Sequence, residues 1–159
     1  MPAKMHTQYL RDLFLDNRLS RGRYAVDGRP VALTDLRAPM FVVGTEHDHI
    51  APWQSVYKVR LLTVVDFTFA LASGGHNSGI VAEPGNPKAS YRLGHAEEAA
   101  AYTPPEAWIE QADRFDGSWW PAWFAWLHEE SGAWVEPPTL GTETLPPTDA
   151  APGRYVRMA

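Results

Sequence analysis

Two hydrophobic periods alternate along this chain, and each change of period marks an element. From Met5 to Leu19, Tyr9, Leu10, Leu13 and Phe14 recur near every 3.6 residues, with Arg11, Asp12 and Asp16 between them. That spacing predicts an amphipathic helix with its charges turned outward. RYAVDGRPVAL then sets two short extended segments around Asp27-Gly28, which suits a two-residue hairpin turn because both positions tolerate positive φ. Pro30 has no N–H to give a ladder and marks the hairpin as an edge feature.

The next run is apolar throughout. Met40 to Gly44 (MFVVG) predicts a strand buried on both faces, as in a parallel sheet, and GTEHDH is the loop at its C-terminal end. Pro52 suits the first turn of a helix carrying Trp53, Val56, Tyr57 and Leu61 along one side. FTFALAS, from Phe67 to Ser73, predicts a second buried strand that ends in GGHNSG. Strand, loop, helix and strand make a βαβ unit, with parallel strands and a right-handed crossover. The fold class this implies is α/β.

From Ile80 to Tyr102 the chain is rich in Gly, Pro, Asn and Ala without clear periodicity. A long irregular excursion is expected there, with one helical turn near Glu97 to Ala101. PEAWIEQA predicts a short helix. GSWWPAWFAWLHEESG predicts a last one, capped by Ser118, with Pro121 in its first turn and Gly132 ending it. Trp120, Trp123, Phe124 and Leu127 fall there at i, i+3, i+4 and i+7, and Trp119 and Trp126 widen the stripe. Such a helix packs across the sheet, a platform for an apolar ligand being the alternative. Two Pro-Pro pairs beyond Glu136 divide the chain into a domain over 1–135 and a Pro-rich extended tail over 136–159.

Composition removes several classes of function. A net charge of −5 with no run of Lys or Arg gives no basis for tracking a phosphate backbone, so nucleic acid is not an expected partner. No segment approaches the ~20 apolar residues of a membrane span, and MPAKMHTQYLRDLF lacks the apolar core of a secretory signal. A soluble, cytoplasmic protein is the expectation. The chain has no cysteine, which excludes disulfides, thiolate metal sites and a thiol nucleophile within it.

In an open α/β sheet, working residues sit on loops at the C-terminal ends of the strands. The two such loops here offer Asp48 and His76. An acid loop followed one βα unit later by a histidine loop matches the second half of the nucleophile, acid, histidine order of α/β-hydrolases. Asp48 would hold one ring nitrogen of His76 while the other faces a nucleophile, and Gly74 and Gly75 permit the tight turn. Asp48 as a turn or helix-capping residue is the competing reading. His47 and His49 beside Asp48 raise a metal site, but three or four convergent ligands are needed and no other His-rich segment supplies them, so neither metal nor cofactor is expected. The nucleophile elbow G-x-S-x-G is absent: Ser78 follows the histidine with the wrong glycine spacing.

GTEHDHIAPW and SGGHNSGIV closely resemble the C-terminal part of the catalytic domain of poly(3-hydroxyalkanoate) synthases. Members of that family show D-H-I/V-x-P-W after one strand and G-H-x-x-G/A after the next. MHTQYLRDLFLDNRLSRGRYAVDGRPVALTDLRAP resembles the family's segment before the acid strand, and GSWWPAWFAWL its Trp-rich terminal helix. The resemblance covers roughly Met5 to Val135. It implies the C-terminal portion of an α/β-hydrolase-like fold with an incomplete sheet. It also implies an acyltransferase that polymerises 3-hydroxyacyl-CoA through a Cys-Asp-His triad, with Asp48 as the aspartate, His76 as the histidine and His49 as an auxiliary neighbour. Lacking the cysteine and its elbow, the chain departs from the family at one decisive point. The implied reading is a fragment inactive as a synthase by itself, partnered by an upstream Cys-bearing segment or subunit, by further copies of itself, or by a polymer-granule surface. The alternative from another class is a non-catalytic binding or assembly module that keeps the fold.

Overall fold

In the computed structural model, which describes residues 1–158, the expected βαβ unit lies at one side of a four-stranded mixed sheet. Its first strand, β3 (Met40–Thr45), pairs in parallel with β4 (Phe67–Ala72), Met40 opposite Phe67 and Thr45 opposite Ala72. The hairpin β1 (Tyr24–Val26) and β2 (Arg29–Val31) forms its own two-stranded sheet, with Asp27 at φ 50° and Gly28 at φ 76° as the turn requires. The four-stranded order is β3-β4-β5-β6. Only Gly44 and Thr45 of β3 are buried, so the expectation of burial on both faces fails for Met40 to Val43. An edge strand has a neighbour on one side only.

The segment after Ile80 is corrected more deeply. Instead of an irregular excursion it contains β5 (Ser90–Ala96), antiparallel to β4, and β6 (Asp113–Asp116) follows further on, antiparallel to β5. The helical turn expected near Glu97 to Ala101 is a tight turn, with Ala99 at φ 57° and the Ala100 N–H donating to the Glu97 carbonyl at 3.1 Å. Arg60 holds that turn. Its guanidinium, 6.0 Å from the Phe67 ring centre, donates to the carbonyls of Ala100 (2.8 Å), Thr63 (3.1 Å) and Glu97 (3.4 Å).

Arg60 is buried because α2 (Trp53–Tyr57) tightens into a 3-10 turn at Lys58–Leu61. Three residues per turn rotate the side chains off the 3.6 stripe, and Leu61, expected on the inner face, is exposed. Pro52 precedes α2 in extended conformation rather than lying in its first turn.

Alternation along β4 divides the core. Phe67, Phe69 and Leu71 meet Trp53 and Tyr57 of α2, Trp108 of α3 (Pro105–Gln111) and Ala112. On the opposite face Ala70 and Ala72 meet Trp119, with Phe41, Val43, Tyr91, Leu93, Trp120 and Trp123 packed around them beneath α4 (Trp120–Glu129). The expected stripe of α4 fails at Phe124, which is exposed, and holds at Trp126, which meets Phe41 at 5.6 Å between ring centres. The helix also stops at Glu129, before Gly132.

At the start of the chain α1 (Ala3–Tyr9) passes into a π-helical turn, Leu10–Leu15, so regular helix ends short of Leu19. The wider turn alters the facing there. Asp12, expected outward, is buried and paired with Arg18 at 3.3 Å, while Phe14 is exposed. The chain divides into two compact units, Met1–Glu129 and Glu130 onward. In the second, a 3-10 turn at Tyr155–Arg157 is the regular element among the described residues. Among the described residues no helix is long and apolar enough to cross a membrane.

Phe69 is fully buried between the rings of Trp53, Tyr57 and Trp108. Phe69→Ala is therefore expected to cost about 3–5 kcal/mol in urea unfolding, through lost transfer energy and the cavity left behind.

Candidate acid–base site

Parallel strands that end level with each other leave their C-terminal loops side by side. Beyond the Thr45–Ala72 pair the ladder continues into the loops: the Glu46 N–H donates to the Ala72 carbonyl and the His47 N–H to the Gly74 carbonyl, both at 2.9 Å. Asp48 follows at once. Its Oδ1 accepts the backbone N–H groups of Ile50 (2.8 Å) and Ala51 (2.9 Å), and its Oδ2 lies 2.8 Å from His76 Nδ1 and 3.4 Å from the Thr45 hydroxyl. The turn reading and the expected contact with His76 are met by the same side chain, whereas α2 itself has no side-chain cap. One oxygen ties the turn before α2, and the other holds the imidazole.

Charge and tautomer follow from these contacts. The Ala51 N–H, first among its donors, lowers the Asp48 pKa to about 2 against the opposing effect of burial, with His76 and the Ile50 N–H adding to the lowering. An ionised carboxylate can only accept. Nδ1 of His76 must therefore carry the proton, which leaves Nε2 as the basic nitrogen of the neutral ring. The His76 side chain is 44% exposed and that of Asp48 only 7%, so a fixed carboxylate supports an accessible base.

The histidine loop is built on close approach. Gly74 takes φ 102°, the Gly75 N–H donates to Ser78 Oγ at 3.0 Å, and the Gly79 N–H closes onto the Gly75 carbonyl at 3.0 Å. A Cβ on Gly79 would lie 2.5 Å from Thr45 Cγ2 and 2.8 Å from the Ser73 carbonyl oxygen. Glycine is required there because the loop rests on the end of β3. Thr45 was not singled out from the sequence, and Ser78 was weighed there only as a nucleophile, so its part in closing this loop has no spacing rule that would have found it.

His47 and His49 flank Asp48 on the exposed loop. Among the described residues no three His, Cys, Asp or Glu side chains gather as a metal site. A second histidine contact lies at the other end of β4, where His95 Nε2 meets Asp66 at 3.0 Å and His95 Nδ1 meets the Thr68 hydroxyl at 3.2 Å. A cavity of about 610 Å³, lined among others by Phe41, Thr68, Leu93, His95 and Trp126, opens at that end. Neither Asp48 nor His76 lines it. Neither feature was legible beforehand, because both depend on the unexpected strand β5.

Fold and site together define an α/β protein with a carboxylate–imidazole couple at the C-terminal ends of two parallel strands. No family model matches the chain. By sequence it is related over nearly its whole length to part of the poly(3-hydroxyalkanoate) polymerases. It is 39% identical to poly(3-hydroxyalkanoate) polymerase 2 of Ectopseudomonas oleovorans over 158 residues, 98% of this chain and 27% of that protein. It is likewise 39% identical over 158 residues to poly(3-hydroxyalkanoate) polymerase of Methylorubrum extorquens, covering 99% and 26%. To poly(3-hydroxyalkanoate) polymerase subunit PhaC of Cupriavidus necator it is 34% identical over 159 residues, covering 99% and 26%. The chain spans about a quarter of the length of these curated relatives.

Because Asp48 titrates near 2 when folded and at the ordinary 3.8 when unfolded, the unfolded chain binds more protons between those values. Its stabilising contribution is complete above about pH 4 and is lost as pH falls through 2. A carboxyl ¹³C titration of the folded chain is expected to place the Asp48 midpoint near 2, and a midpoint at the ordinary value would contradict the hydrogen-bond pattern.

Proposed function

We propose that this chain contributes the acid and the base of an acyl-transfer site in an α/β-hydrolase-like poly(3-hydroxyalkanoate) polymerase. The observation that carries the reading is the 2.8 Å contact between His76 Nδ1 and Asp48 Oδ2, in a chain 39% identical to two such polymerases. There is no cysteine here, so the nucleophilic thiol comes from a Cys-bearing segment or subunit outside this chain.

In that reading His76 Nε2 takes the thiol proton, and the thiolate sulfur bonds to the thioester carbonyl of 3-hydroxyacyl-CoA. As the tetrahedral adduct collapses, the bond to the CoA sulfur breaks, CoA leaves as the thiol with the proton from His76, and an acyl-enzyme remains. The 3-hydroxyl of a second acyl unit then gives His76 its proton while its oxygen attacks that acyl carbonyl. An ester forms and the enzyme thiolate departs. Asp48 keeps Nδ1 protonated and stabilises the imidazolium of each step. His49 is an auxiliary group on the same exposed loop. The cytoplasm and the polymer-granule surface are the setting that fits such a reaction.

The missing cysteine also favours a second reading, a non-catalytic binding or assembly module that keeps both loops as structure. One assay separates the two. Purified chain given 3-hydroxybutyryl-CoA is expected to release no CoA above buffer. Adding a polypeptide that carries the Cys-bearing part of a polymerase is expected to start release, with His76→Ala abolishing it and Asp48→Asn slowing it about 10⁴-fold. Silence in the mixture would favour the binding module, and release by the chain alone that depends on His76 would mean it holds another nucleophile.

A further inference from the structure

Trp119, just before α4, and Trp120, its first residue, donate their indole N–H groups to consecutive carbonyls of the histidine loop. Trp119 Nε1 lies 3.1 Å from the Gly79 oxygen, and Trp120 Nε1 lies 3.0 Å from the Ile80 oxygen. The geometry points to Trp119 and Trp120 as positioning residues for the Asp48–His76 couple, acting through the loop rather than on a substrate. Their functional weight rests on reading that couple as acid and base. The coupling itself does not.

Gly79 stands at a junction. Its N–H closes onto the Gly75 carbonyl, immediately before His76. Its Cα side presses on Thr45, where no Cβ fits. Thr45 in turn reaches Asp48 twice, through the hydroxyl contact at 3.4 Å and through its carbonyl, which accepts the Asp48 N–H at 3.3 Å. Fixing the Gly79 carbonyl therefore sets the histidine side and the carboxylate side together. The Ile80 N–H and the Val81 N–H both donate to the Asn77 carbonyl, at 3.1 and 2.9 Å, so the second indole secures the same coil one residue on.

Donation and packing are separable along Trp119 and α4. Trp119 is buried on Ala70 and Ala72, and its indole ring stacks with Phe41 at 6.3 Å between centres. Trp123 packs against the same cluster, and Trp126 lies against Phe41. Phenylalanine at 119 or 120 keeps an aromatic ring and removes the donor, while the same change at 123 or 126 alters packing alone. A group that merely holds the fold together would act alike at all four positions.

The test is ¹⁵N and ¹³C NMR of this chain, read at the His76 ring nitrogens and the Asp48 carboxyl. Trp120→Phe is expected to lower the equilibrium constant for the hydrogen-bonded couple about fivefold, the equivalent of one net hydrogen bond, and the double variant with Trp119→Phe about 25-fold. The signs are faster exchange of the Nδ1 proton and an upward move of the Asp48 midpoint. Trp123→Phe and Trp126→Phe are expected to leave both signals in place. Should the buried Trp119 change prevent folding, Trp120→Phe, at a half-exposed ring, carries the test. Unchanged His76 and Asp48 signals in Trp120→Phe, or equal disturbance by the Trp123 and Trp126 changes, would overturn the proposal. Both readouts are taken without substrate or nucleophile, so failure of the acyl-transfer reading would leave them standing, and their failure would leave that reading standing.

Discussion

In-register parallel pairing of β3 with β4 is the constraint on which the rest of the structure depends. It ends the two strands at the level of Thr45 and Ala72 and leaves the next two backbone N–H groups to clip loop to loop. A slip of one residue would turn Phe67, Phe69 and Leu71 toward α4, because side chains alternate with period two. It would also carry Asp48 away from His76. Core and couple therefore share one register, and whatever stabilises the first aligns the second.

The two faces hold that register by different means. Beneath α2 and α3 the sheet offers large rings, with Phe69 5.1 Å from Tyr57 and 5.0 Å from Trp108 between centres in edge-to-face contact, an arrangement that suits aromatic quadrupoles. Beneath α4 it offers Ala70 and Ala72, and the indole of Trp119 fills the depth they leave. Glycines set the closest approaches. A Cβ at Gly44 would lie 3.0 Å from the Phe69 ring, and one at Gly94 2.5 Å from the Trp108 indole nitrogen. Close packing of this kind leaves few low-energy alternatives to the observed fit.

What could be read from the sequence was what local chemistry alone determines. The Asp27-Gly28 turn, the apolar strands around Val42 and Phe69, and the helix at Trp108 each have a signal within a few residues. Strand β5 has the right alternation at Tyr91 and Leu93, but Arg92, Gly94 and the Gly- and Pro-rich approach hide it, and its strand conformation is settled by pairing with β4. β6, Asp-Arg-Phe-Asp, has almost no strand signal and takes its conformation from pairing with β5. Asp48 and His76 were found by their place after two legible strands. Thr45, the loop contact of Ser78 and the indole donors were not, since a hydrophobic pattern counts Trp as an apolar residue and takes no account of its N–H.

The two borders of the four-stranded sheet differ in chemistry. β6 is four residues long, exposed at every position and carries Asp113, Arg114 and Asp116, the features by which natural sheets discourage a further strand. β3, at the other border, runs for six residues without a charge, from Met40 to Thr45. One border is guarded and the other is not, so the sheet has a polarity across its strands as well as along them. The border without a charge is also the one whose strand leads into Asp48.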